Sequence, residues 1–285
     1  MGLLDDIRAH AAEVARTARF VRLDPGALDA IAPAPPPVLD PALHPVELPE
    51  EERVRFVFVW DAINFGSGWF PTLRTRPGRS GSLTILSALS DHARAHGVWS
   101  TAELEALDAT AVAAALGQDP DHELMGLHAR ALNDLGPWLE AHPELPPTAE
   151  ALATELAGGL PFFADRGFYK RAQILPHDLA QAGLATFPDV DRLTIFADNL
   201  VPHVLRVDGV LRYDDGLAAR IDAGRLIAPG SREEVEIRAC ALHAVELLSR
   251  RTGTPPRLLD EGLWHRGQSP GYKARPRHRT RTVFY

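Results

Sequence analysis

The chain has 285 residues, 45% of them hydrophobic and 24% charged, and a formal net charge of -8. This is the balance of a soluble globular protein with a sizeable core, and the negative excess argues against a large surface for tracking the phosphates of a nucleic acid. A lone cysteine, Cys240, leaves no internal disulfide, and no apolar run approaches the roughly 20 residues needed to span a bilayer. The acidic opening, Met1-Gly2-Leu3-Leu4-Asp5-Asp6, lacks a positive segment followed by an apolar one. It also lacks the Ser or Thr at position 6 that favours myristoylation of Gly2, so the cytoplasm is the expected compartment.

In chain order, Leu3, Leu4, Ile7, Ala11, Val14, Ala15 and Ala18 recur at helical spacing, which predicts an amphipathic helix over 3–20. From Pro25 to Pro49 proline is frequent, most densely in Pro33-Ala34-Pro35-Pro36-Pro37, so residues 1–42 are expected to be a helix and an extended wrap. Glu50 to Phe65 begins with acids suited to a helix N-terminus. Its apolar run, Phe56 to Ile63, is too continuous for periodicity to choose between buried helix and buried strand. Glycines and prolines from Gly66 to Gly81 predict loops.

Helices are then expected at 82–96, 101–116, 120–142, 148–158 and 231–252. Ser100 with Glu103, and Ser231 with Glu234, have the spacing of a capping box, and Gly253 and Pro255 follow the last helix. Regular strand alternation and internal repeats are missing. The expected fold is a single mostly α domain over 1–285 with at most a small β element.

The chain has no phosphate loop, dinucleotide fingerprint, HExxH, cysteine pair for zinc or serine elbow. His92 and His96 have i,i+4 spacing, but Ala93 follows the first and no third ligand is evident, so no metal and no cofactor are expected. What stands out is a set of carboxylates in apolar or aromatic surroundings: Asp61 after Trp60, Asp198 after Phe196-Ala197, and Asp260 after Leu258-Leu259 and before Trp264. An ionised carboxylate there is costly unless paired or put to use.

Several blocks occur in a fixed order: Leu43-His44-Pro45, Asp61-Ala62-Ile63-Asn64-Phe65, Phe168-Tyr169-Lys170-Arg171-Ala172 and Leu193-Thr194-Ile195-Phe196-Ala197-Asp198. Val201-Pro202, Arg232 to Arg238, Leu259-Asp260, Leu263-Trp264 and Arg279 to Tyr285 follow. In these blocks the sequence resembles the queuosine salvage protein family, the queuosine 5'-phosphate N-glycosylases. The resemblance implies an all-α domain similar to helical DNA glycosylases, releasing queuine or a close relative from its nucleoside 5'-monophosphate, with base-binding positions at His44, Phe196, Asp198 and Asp260. The chain departs from the family at Glu261, where a Tyr is frequent, and at His265, where some members have Asp.

Breaking a ribosyl C–N bond develops positive charge on the sugar, which a carboxylate stabilises while orienting the attacking water. Asp198 and Asp260 are therefore the expected catalytic acids, one at the base and one at the anomeric carbon. Phe196 and Trp264 are expected stacking surfaces, and His44, Asp61, Asn64, Glu261 and His265 further pocket residues. Lys170, Arg171, Lys273 and Arg281 are the cations available to a 5'-phosphate. The expected partner is a small-molecule nucleotide, with no membrane and no stable nucleic-acid partner. The competing reading is a protein that binds 7-deazaguanine bases or nucleotides without turnover, which His265 raises.

Overall fold

The computed structural model describes residues 2–32 and 39–285, so the densest part of the proline-rich segment, Pro33 to Pro37, lies outside the described residues. Among them, the chain begins with helices α1 (Leu3–Thr17), α2 (Glu50–Ile63), α3 (Gly81–His96), α4 (Thr101–Ala106), α5 (Ala109–Leu116) and α6 (Glu123–Ala141). It continues with α7 (Ala149–Gly159), α8 (Lys170–Gln181), α9 (Leu200–Val207), α10 (Asp215–Asp222), α11 (Arg232–Thr252), α12 (Pro256–Gly267) and α13 (Pro270–Lys273). The mostly α class stands. The small β element is one antiparallel pair, β1 (Val21–Leu23) against β2 (Leu211–Tyr213), with Val21 opposite Tyr213 and Leu23 opposite Leu211. No described helix is long and apolar enough to cross a membrane.

The expected helix 3–20 ends three residues early, at Thr17. The buried Glu236 carboxylate of α11 accepts the backbone N–H groups of Arg19 at 2.9 Å, Phe20 at 2.6 Å and Val21 at 3.3 Å, turning the chain into β1. The ambiguous run after Glu50 is a helix, buried continuously from Phe56 to Ile63, which is why its period carried no signal. The expected helix 101–116 is two helices. Leu107 is extended, and Asp108 restarts the chain by accepting the Ala111 N–H at 2.8 Å.

The capping box at Ser100 and Glu103 is complete. At Ser231 only half of it forms. The serine accepts the Glu234 N–H, but the Glu234 carboxylate takes the Tyr285 hydroxyl at 2.9 Å and the Gly230 N–H at 3.2 Å instead of the N–H of Ser231. Helices α8, α9, α10, α12 and α13 were not read from periodicity. They are short, and Pro176 and Pro202 interrupt the pattern in α8 and α9.

Helix α1 lies along α11, α2, α4 and α5 pack on α6, α7 backs α8, and α9 packs on α12. At the centre, the buried Arg238 guanidinium of α11 pairs with Asp165 and with Glu234 at 3.3 Å. It also donates to the Ala197 carbonyl at 2.9 Å and stacks between the rings of Phe168 and Tyr285. Arg238→Ala leaves two buried carboxylates without their cation, and is expected to cost about 3–5 kcal/mol of unfolding free energy in urea titration.

Candidate active site

The site is built around an irregular segment, 193–199, that no strand supports among the described residues. Side chains from three helices hold it instead. Gln173 of α8 accepts the Thr194 N–H at 2.9 Å, Asp260 of α12 accepts the Phe196 N–H at 3.0 Å, and Arg238 binds the Ala197 carbonyl. Asp198 then accepts the Leu200 N–H at 2.7 Å, in the first turn of α9. The start of α8 is fixed by Tyr169, whose left-handed backbone (φ 50°) precedes the helix, and by Asp165, which accepts the Lys170 N–H at 3.3 Å.

A cavity of about 190 Å³ opens between this segment, α8, α12 and the end of α2. Helix α8 contributes Lys170, Ile174, Asp178 and Gln181, one stripe at helical spacing, with His177 beside it. Helix α12 contributes Asp260, Glu261, Trp264 and His265, with Gln268 at its C-cap, and a Gln181–Glu261 hydrogen bond joins α12 to α8. The Phe196 ring stands 5.0 Å from that of His177, and His44 lies at the rim. A second cleft of about 410 Å³ adjoins it, sharing Ser67, Leu200, Gln268 and Arg277, and is lined further by Arg79, Lys273, Arg275 and Arg279.

The cavity is therefore electrically polarised. Asp178, Asp260 and Glu261 line it together with the ammonium of Lys170, and the buried Asp61 lies outside the lining. Desolvation raises the Asp260 carboxyl to about 8, helped by the nearby Asp198, and raises Asp61 to about 7 against the opposing charge of Lys170. Burial and Asp61 push Asp178 well above the ordinary carboxyl range, and burial raises Glu261. Burial lowers Lys170 and Arg277, both of which lie near enough to Asp198 to be stabilised by its charge, and lowers His177 to about 3. His44 and His265 are also lowered by desolvation.

Of the residues singled out in the sequence, His44, Asn64, Lys170, Phe196, Asp198, Asp260, Glu261, Trp264 and His265 line the cavity together. Asp61 and Arg171 do not. Asp61 is wholly buried, with Oδ1 accepting from Asn64 at 3.3 Å, and Arg171 spends its donors on backbone carbonyls of Ala62, Phe162 and Val283. Arg281 lies apart, over Trp69 and beside Glu123, whereas Lys273 lines the adjoining cleft. Sequence reasoning missed Asp178, Gln181, Gln268 and Arg277. The spacing of Lys170, Ile174 and Asp178 was a usable signal for the first, but Arg277 was hidden within a uniformly basic stretch.

Aromatic rings and acids in a small cavity that adjoins a cationic cleft are groups able to stack on a planar ring, bond its polar edges and pair with an anion. The model of the family described as queuosine salvage protein matches residues 161–285. A queuosine 5'-phosphate N-glycosylase/hydrolase of Sphaerobacter thermophilus is 34% identical, with 95% of each chain covered. Proteins of that name from Mus musculus and Dictyostelium discoideum are 37% and 41% identical, each match covering 41% of this chain and 40% of theirs. The chain belongs to the queuosine salvage protein family.

Asp260 gives the site a pH signature. The folded protein keeps this proton up to about pH 8, whereas the unfolded chain releases it near the ordinary carboxyl value of about 4. Between those limits the unfolded state loses the proton first, so the group withdraws stability as pH rises. Asp260→Asn keeps an acceptor for the Phe196 N–H and removes that slope. Its melting temperature relative to wild type is expected to climb from about pH 5 to about pH 8 in paired thermal scans; a constant difference contradicts the assignment.

Proposed function

We propose that the protein hydrolyses the N-glycosidic bond of queuosine 5'-monophosphate, releasing queuine. The observation that carries this reading is the juncture of the two cavities: Asp198 lines the first, and Arg277, within reach of its charge, lines both. A nucleotide with its base in the acidic cavity and its phosphate in the basic cleft has its sugar at that juncture. This supports Asp198 as the carboxylate near the anomeric carbon, where it opposes the developing positive charge and orients water.

Asp260, anchored by the Phe196 N–H, holds the polar edge of the base, and Phe196 and Trp264 flank its faces. Arg277 and Lys273 are the phosphate ligands, in place of Arg171 and Arg281, whose guanidinium groups are engaged elsewhere. Glu261, with Oε2 buried and unpartnered among the described residues, is available to the side-chain amine of the base. Packing of α1 along α11 supports reading residues 1–285 as one domain.

Incubation with queuosine 5'-monophosphate and with GMP, followed by chromatography, is expected to give queuine from the first and no guanine from the second. Asp198→Asn is expected to lower kcat about 100-fold or more. Tight binding with no release leaves a binding protein and sinks the hydrolase reading. Arg277→Met, by removing a charge-assisted contact, is expected to raise KM about tenfold or more for the 5'-monophosphate. The same variant should leave KM for the unphosphorylated nucleoside little changed.

A further inference from the structure

We propose that Asp178 is a third catalytic carboxyl, one that donates a proton to the departing base. The inference rests on the proposed glycosidase reading and adds a residue that neither the sequence blocks nor the chemistry of Asp198 and Asp260 required. Asp178 lies on the cavity stripe of α8, two turns beyond Lys170 and between Ile174 and Gln181. Among the described residues no protein donor reaches its carboxyl, unlike Asp198, Asp260 and Glu261, each of which accepts a hydrogen bond. Asp178 lines the cavity.

The groups facing Asp178 come from three elements: Asp61 of α2, Lys170 of its own helix, and Asp260 and Glu261 of α12. Asp61, Asp178 and Asp260 all lie within reach of the Lys170 ammonium, Glu261 adds a further carboxyl, and so dense a set of negative charge in low dielectric keeps protons at neutral pH. Burial and Asp61 both act in that direction on Asp178. A 7-deazaguanine base gives such an acid a task. Carbon replaces N7, so the usual position for protonating a leaving purine is missing, and the proton must reach another polar atom of the ring system.

The step balances as a hydrolysis. The bond from the anomeric carbon to the base nitrogen breaks with its electron pair leaving on the base, and the Asp178 proton neutralises the base as it departs. Water adds to the anomeric carbon and gives its surplus proton to Asp198. Exchange of that proton with solvent, and protonation of Asp178 from solvent, restore the starting state.

The test compares wild type, Asp178→Asn and Asp178→Ala on two substrates. One is queuosine 5'-monophosphate; the other is 4-nitrophenyl β-ribofuranoside 5-phosphate, whose leaving group needs no proton. Asp178→Asn is expected to lose 10²–10⁴-fold in kcat on the nucleotide, with little change in KM, and to keep nearly full turnover of the nitrophenyl substrate. On the nucleotide, wild-type kcat is expected to fall at alkaline pH, and that fall is expected to flatten in this variant. Equal losses on both substrates, or an unchanged nucleotide rate with an unchanged pH profile, overturn the proposal. Melting curves identify a variant that has lost its fold, in which case the wild-type alkaline limb decides: its presence on both substrates also overturns the proposal. A wild type that releases no queuine defeats the underlying reading, a failure visible before any variant is compared.

Discussion

The buried guanidinium of Arg171 fastens the region on which the site rests. It donates to the carbonyls of Ala62 at 2.5 Å and Val283 at 2.6 Å and to that of Phe162, while the rings of Phe65 and Phe163 cover it at 4.6 and 4.8 Å. The last carbonyls of a helix have no partner within it. At the end of α2 that deficit falls inside the core, where an unmet acceptor is costly, and a planar five-donor group meets it and the demands of two other segments together. The same fixation brings Lys170, one residue earlier, to the Asn64 carbonyl at 3.0 Å and to the inner wall of the cavity. Arg171 thus bears on the site by position, since its donors face backbone and not the cavity.

A second constraint follows from the lack, among the described residues, of a sheet beneath 193–199. Backbone groups of that segment are satisfied by Gln173, Asp260 and Arg238, side chains from α8, α12 and α11. Asp260 therefore has two demands on it, holding the Phe196 backbone and facing the cavity, and its burial raises its affinity for a proton. Structure and electrostatics are inseparable here. The acid that positions the segment is one whose ionisation burial suppresses, and the cations Arg79, Lys273, Arg275, Arg277 and Arg279 line the adjoining cleft.

The sequence by itself determined the helical class, the ends of α11, the complete capping box at Ser100 and the order of blocks that marks the family, because each depends on neighbours a few residues apart. It also named part of the cavity wall, including His44, Phe196, Asp198, Asp260 and Trp264. Only the tertiary structure decided what depends on distant partners. Glu236 ends α1 early, Tyr285 and Arg238 draw Glu234 away from its cap, and Phe162 and Val283 claim the donors of Arg171. Arg277 is singled out of a basic stretch by its approach to Asp198, and Asp178 by the absence, among the described residues, of any protein donor at its carboxyl. The physical reason is common to all of these: the fate of a charged group is set by desolvation and by partners from other elements, and local sequence encodes neither.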